Sequence, residues 1–139
     1  MATPTARTGD SRPIRNPAKK VKRGEIWTVA GGSYYSGKPR PALILQSDFF
    51  SDIDSLTICP ITSFDTRTPR IRVPLFPDES NGLESPSWLA ADKIVSLPKS
   101  KFGQRIGHVD AETLAELNRA IIVFLHLDGA HPTRAPRRR

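Results

Sequence analysis

The chain holds one cysteine, Cys59, in 139 residues. That excludes a disulfide framework and a cysteine-based zinc site. Histidine is almost as scarce. His108, His126 and His131 lie far apart, with no metal-ligand spacing between them. Long apolar runs are missing: the longest, Ala120 to Leu125, is far too short to cross a bilayer. The N-terminus is polar and basic with no apolar stretch behind it, so it does not read as a secretory signal. A soluble cytoplasmic protein is the expectation. Generic catalytic motifs are missing too. There is no Walker loop, no dinucleotide fingerprint, no nucleophile elbow and no histidine–carboxylate spacing. Neither a metal nor a cofactor is expected.

Excess acid is also lacking. The formal net charge is +7 and the pI near 10.1. A polyanionic partner follows only if that charge sits on the folded part. It does not. Residues 1–23 carry seven basic side chains against Asp10, a net +6. Residues 128–139 carry four against Asp128, a net +3. The middle, 24–127, has 10 basic and 12 acidic side chains, a net −2. A uniformly positive nucleic-acid-coating domain is excluded, and any anion site in the middle must be a local cluster.

The organisation follows from the same distribution. Residues 1–21 and 128–139 are basic and poor in large apolar side chains. They cannot bury enough surface to offset ordering entropy, so disordered tails are expected there. The folded unit is 22–127. Within it, Glu25 to Ala30 alternates polar and apolar, as a half-buried strand does. Gly31 to Lys38 is a glycine-bearing loop with Tyr34 and Tyr35. Pro41 to Gln46 is nearly continuous apolar, a central strand whose proline can stand only at its start. Ser47 to Ser55 is a polar excursion with room for one helical turn. Leu56 to Pro60 is a further strand, which Ile61-Thr62-Ser63 leaves. Arg70 to Leu75, Ser87 to Ala90 and Lys93 to Leu97 read as strands, with a short one at Arg105-Ile106. One helix is well marked. Asp110 is a good N-cap, Glu112 suits the dipole, and Leu114, Leu117, Ile121, Phe124 and Leu125 recur at helical spacing. Many short strands and one terminal helix predict a mainly β (α+β) fold, a small bent sheet or barrel capped by a helix.

The specific signal is a series of ordered short motifs. Lys22-Arg23-Gly24-Glu25-Ile26-Trp27 opens the folded unit. Arg40-Pro41-Ala42-Leu43-Ile44-Leu45-Gln46 follows the glycine-bearing loop. Thr57-Ile58-Cys59-Pro60-Ile61-Thr62-Ser63 comes next, then Ala91-Asp92-Lys93-Ile94 and the amphipathic helix. This series resembles the MazF/PemK family of toxins over about residues 22–127. The resemblance implies an SH3-like, CcdB-like β-barrel with a C-terminal helix, working as a homodimer with its RNA groove at or near the dimer interface. It implies a sequence-specific, ribosome-independent endoribonuclease that cuts single-stranded mRNA and is neutralised by a cognate antitoxin. Cleavage in that family is metal-independent transesterification by the ribose 2′-hydroxyl. The family's functional arginine falls on Arg40 and its threonine on Thr62.

The residue types suit that chemistry. Cleavage needs a base near the 2′-hydroxyl, charge stabilisation for the phosphorane and a proton for the leaving 5′-oxygen. Arginine offers a planar, always-charged fork for two phosphate oxygens. Thr62 offers a hydroxyl on a stiff, β-branched side chain. Glu25 and Asp92 are the candidate bases; each is otherwise a strand or turn residue with a bland hydrogen bond. Some PemK-type members carry an arginine two residues before this aspartate, where this chain has Ala90. Lys38, Ser63, Arg67 and Arg70 are candidate RNA contacts, against a charged edge that resists aggregation. Tyr34 and Tyr35 could stack on unpaired bases or pack on their own barrel. Trp27 and Trp88 read as core or interface rather than stacking platforms. The alternative in a different class is a non-catalytic, CcdB-like toxin that binds a protein target such as gyrase. A degenerate SH3-like adaptor is the third reading.

Overall fold

The computed structural model describes residues 20–30, 38–64 and 71–129. The element order is β1 (Glu25–Val29), β2 (Arg40–Ile44), a 3-10 turn (Asp48–Phe50), β3 (Ser55–Ser63), β4 (Val73–Leu75), β5 (Ser87–Leu89), a 3-10 turn (Ala91–Lys93), β6 (Val95–Pro98), a 3-10 turn (Lys99–Lys101), β7 (Phe102–His108) and α1 (Ala111–Leu125). All strand pairs are antiparallel. The spatial order is β4-β5-β3-β2-β1-β7, with β6 added on β3.

β3 organises the sheet. Its start pairs with β6, its middle with β2 and its end with β5. Nine residues long, it serves three partners only by bending, and the bend falls at Pro60, which has no N–H to give to a ladder. The two faces of the bent sheet carry two cores. One holds Ile26, Leu43, Cys59, Ile61 and Leu89 and is covered by α1 through Leu117. The other holds Trp27, Val29, Ala42, Ile44, Ile58 and Phe102. Alternation along each strand assigns successive residues to opposite cores. Leu117 is fully buried, worth roughly 1.5–3 kcal/mol toward holding the helix on the sheet.

Local chemistry explains the joints. The Arg23 guanidinium donates to the Leu45 carbonyl and to Asn118 Oδ1 (2.6 Å), tying the entry of β1 to β2 and to α1. Gly24 follows at φ +92° and donates to the Ile44 carbonyl, so the opening motif is largely structural. Ser47 caps the 3-10 turn at Asp48 by accepting from the Phe49 N–H. Asp110 caps α1 by accepting from the Thr113 N–H at 2.8 Å, which holds its carboxyl below the usual range. The helix ends with His126 in the left-handed region.

Several expectations meet corrections. β3 does not end at Pro60 but runs on through Thr62 and Ser63. The segment beginning at Lys93 is a 3-10 turn first and a strand only from Val95. The short strand at Arg105-Ile106 is a seven-residue strand, β7. The sheet is also not closed by a ladder: β4 and β7, its ends, do not pair among the described residues. The β4–β5 loop closes the gap instead. His108 N–H donates to the Ser80 carbonyl at 2.9 Å, and Asn81, 1% exposed, fixes the loop with bonds to Asp78, Phe76 and Leu83. Residues 1–19 and 130–139, most of the expected tails, lie outside the described residues. Among the described residues no helix is long and apolar enough to cross a membrane.

Candidate active site

The strand register gathers the candidates. β2 and β3 pair Ile44 with Ile58, Leu43 with Cys59 and Ala42 with Pro60. That ladder ends at Ala42–Pro60; Arg40 lies two residues beyond it on β2 and Thr62 two residues beyond it on β3, where β3 has passed to β5. Thr62 is in turn opposite Trp88 on β5, and Trp88 opposite Pro74 on β4. Alternation puts Arg40 on the face of Ala42 and Ile44, and Thr62 on the face of Ile58 and Pro60. One row across three strands therefore runs Thr62, Trp88, Pro74, on the face away from α1, with Arg40 on the same face at the entry of β2. Arg40 is exposed at the entry of β2, beside exposed Lys38. Ser63, exposed, ends β3.

The row has two uncommon features. Thr62 Oγ1 and Trp88 Nε1 are buried and have no hydrogen-bond partner among the described residues. Each such group costs roughly 1–3 kcal/mol, and native structures carry few of them. Beside them, the Phe64 ring lies tilted on Trp88, with centroids 4.5 Å apart and planes at 35°. Phe76 meets Phe64 edge-on at 5.6 Å and 85°. Phe64 and Phe76 remain 42% and 58% exposed. The sequence reading missed this cluster. Its one legible signal is Phe64 itself, a large aromatic two residues beyond Thr62 on the same alternation.

Glu25 is not brought to this row. In the β1–β2 ladder Val29 is the partner of Arg40, so Glu25 stands four residues away, about 13 Å along the strand. Its carboxylate is also fully engaged. It accepts from the Lys22 N–H at 3.0 Å and from the Trp27 indole at 2.9 Å, and pairs with Arg105 Nε at 3.1 Å. Trp27 is core, as expected.

Asp92 is not brought there either. Both its oxygens are held by the Arg72 guanidinium, Nε to Oδ1 at 2.8 Å and Nη2 to Oδ2 at 3.0 Å. The side chains are 12% and 17% exposed. The arginine that holds Asp92 is thus Arg72, the residue just before β4, and position 90 is Ala90. The pair lies on the helix side. Its 3-10 turn packs on α1, and the Asp92 charge reaches Cys59 in the helix-side core. Burial first, then Asp92, pushes the Cys59 thiol up to about 12, so it is an inert apolar side chain at neutral pH.

The hydrogen bonds from Arg72 lower the Asp92 pKa, more than the opposing effect of burial raises it. A carboxyl depressed in the folded state stabilises the fold above its unfolded value, near 3.9. That stability is lost as pH falls through the folded value. The stability difference between wild type and Asp92→Asn should therefore be greatest at neutral pH and close as pH drops below about 4. Thermal unfolding across pH 2–7 measures it, and a difference independent of pH would refute the ion pair's contribution.

Tyr34, Tyr35, Arg67 and Arg70 lie outside the described residues.

This geometry belongs to a recognisable family. The model of the PemK-like, MazF-like toxin of type II toxin–antitoxin systems matches residues 22–125. The chain is 38% identical over 109 residues to the probable endoribonuclease MazF of Mycolicibacterium smegmatis, covering 78% of this chain and 100% of that one. It is 30% identical over 118 residues to endoribonuclease MazF9 of Mycobacterium tuberculosis, covering 78% and 97%. Among solved structures, the M. tuberculosis toxin MazF-mt6 superposes with a TM-score of 0.62 at 28% identity, over 73% of this chain and 96% of that one. A mycobacterial endoribonuclease solved in complex with its cognate antitoxin shares the fold, with a TM-score of 0.63 at 22% identity over 77% and 96%. The chain belongs to the PemK/MazF family of type II toxins.

Proposed function

We infer that this toxin is an endoribonuclease that cuts single-stranded mRNA at preferred short sequences. The 2′-hydroxyl of the ribose attacks the adjacent phosphate, leaving a 2′,3′-cyclic phosphate and a 5′-hydroxyl, without a metal ion. The observation that carries the reading is that Arg40 and Thr62 share one face, each two residues past the Ala42–Pro60 end of the β2–β3 ladder. The Arg40 fork binds two phosphate oxygens and stabilises the charge that develops on the phosphorane. The Thr62 hydroxyl, without a partner among the described residues, donates to the same phosphate. Lys38 and Ser63 are further RNA contacts in this reading, as are Arg67, Arg70, Tyr34 and Tyr35. Glu25 and Asp92 act as positioning residues: each carboxylate is held by an arginine away from the row. The family match supports this reading over the gyrase-poison alternative.

The toxin works in the cytoplasm as a homodimer, and a cognate antitoxin occupies its RNA groove. Exposed Val123, Phe124, Leu125 and Leu127 at the end of α1 supply apolar surface for such an assembly. A disordered acidic antitoxin segment that folds on binding suits a groove bearing Lys38 and Arg40.

The test is incubation of the purified protein with a long single-stranded RNA in EDTA, followed by mapping of the cut ends. Cleavage should persist in the chelator, recur at one short sequence and leave 5′-hydroxyl ends. RNA left intact while expression remains toxic would turn the search to protein targets.

A further inference from the structure

We propose that Phe64, Phe76 and Trp88 form a stacking platform for a base of the single-stranded RNA, next to the scissile phosphate. The proposal rests on the nuclease reading for the identity of the ligand and adds a subsite to it.

Three strand segments converge to build the platform. Phe64 leaves the end of β3 two residues after Thr62. Trp88 is the central residue of β5 and the cross-strand partner of Thr62. Phe76 follows the end of β4, whose Pro74 is opposite Trp88. The rings touch each other, yet Phe64 and Phe76 keep about half of their surface in water. A folded chain gains by burying such rings, so a cluster left half open in one place is surface available to a ligand.

Two observations favour a nucleotide over an apolar protein segment. First, the row holds two buried polar atoms without partners among the described residues, the Thr62 hydroxyl and the Trp88 indole N–H. An apolar occupant would leave both unpaired, whereas RNA carries phosphate oxygens and base carbonyls that would accept from them once the side chains covering them move aside. Second, Arg40 and Lys38 lie exposed at the entry of β2, two and four residues past the Ala42–Pro60 end of the ladder that leads to Thr62. A strand whose phosphate lies on Arg40 and Thr62 would carry its neighbouring base over Phe64. Aromatic faces beneath splayed bases and cations along the backbone are how proteins hold single-stranded nucleic acid. Phe64 lies against Trp88, so a base stacked on Phe64 is read by a rigid support rather than by a lone mobile ring.

The experiment uses the full chain with Phe64→Ala, Phe76→Ala and Phe64→Tyr. Binding of a 2′-O-methylated RNA oligonucleotide, which cannot be cut, is followed by tryptophan fluorescence. Cleavage of the matching unmodified oligonucleotide gives kcat and KM separately. Phe64→Ala should weaken binding and raise KM by about 5- to 100-fold, with kcat at saturation changed less than about threefold. Phe64→Tyr keeps the ring and should bind like wild type. Phe76→Ala, at the more exposed ring, should act in the same direction and is the safer variant should Phe64→Ala fail to fold. Unchanged binding and KM in both alanine variants would overturn the platform. So would a loss of self-association or of antitoxin binding with RNA affinity intact, since the rings would then belong to a protein interface. The binding arm needs no cleavage. Phe64-dependent binding without cutting would keep the platform and sink the nuclease step; cutting without Phe64 dependence would do the reverse.

Discussion

Arg40→Ala should lower the rate of RNA cleavage on the order of 100- to 1,000-fold, the usual cost of removing one preorganised donor from a developing oxyanion. The argument is electrostatic. A phosphate diester carries one negative charge, and the phosphorane formed by 2′-hydroxyl attack carries more. On the proposed reading, a guanidinium at the start of β2 would meet that added charge from a backbone held in the ladder to β1, where Val29 pairs with Arg40. The split between kinetic constants tests the role. If Arg40 acts mainly on the transition state, kcat falls by most of the factor. If it only holds the ground-state phosphate, KM rises and kcat is unchanged. Arg40→Lys keeps the charge and loses the two-pronged fork, so it should recover only part of the rate. Arg40 is exposed at a strand entry, so thermal unfolding should change by less than about 1 kcal/mol. Activity at the wild-type level in Arg40→Ala would refute the assignment.

Much of this arrangement is legible in the sequence, and the failures have a common cause. Local rules found β1 from its alternation, α1 from Asp110 and the spacing of its leucines, and the turn after Ser47. Those elements are decided by residues within a few positions of one another. β7 was nearly missed because its middle reads Gly103-Gln104-Arg105-Ile106-Gly107, with no apolar alternation. It is a strand because β1 supplies the ladder and because Gly107 lets the backbone of Ser80 and Asn81 approach it closely. β3 was cut short at Pro60 because a proline normally ends a strand; here the strand changes partners at that residue and continues. The Arg72–Asp92 pair joins residues 20 apart, and the Phe64–Phe76–Trp88 cluster joins three segments. No periodicity encodes such meetings. The separation of Glu25 from Arg40 is hidden from the sequence for the same reason: it is a matter of ladder register, not of residue type.

Gly107→Ala should be strongly destabilising, at about 3 kcal/mol or more. An added Cβ would stand 2.4 Å from the Ser80 oxygen, 2.4 Å from the Asn81 carbonyl carbon and 2.5 Å from the Asn81 oxygen. All three are backbone atoms, so no rotamer change relieves the clash. The loop must back away from β7, and with it goes the His108 N–H to Ser80 carbonyl bond that closes the open edge of the sheet. Gly82, on the other side of the same contact, has φ +71° and would place its own Cβ 2.2 Å from the Ile106 oxygen. The closure is therefore backbone packed on backbone, with a glycine from each side. Gly103→Ala is the control. There the nearest atom is Thr28 Oγ1 at 2.6 Å, a side-chain atom whose turning away loses its hydrogen bond from the Gln104 N–H, so the loss should be smaller, about 1 kcal/mol. At roughly 4–8 °C per kcal/mol for a domain of this size, Gly107→Ala should lower Tm by roughly 12 °C or more. Equal losses in the two variants, measured by thermal unfolding, would show that the loop contact does not hold the sheet together. The expected order would show that the sheet's missing ladder is replaced by this contact. The β4–β5 hairpin, which carries Trp88 and leads into Phe76, would then owe its position beside Thr62 to two glycines far from the chemistry.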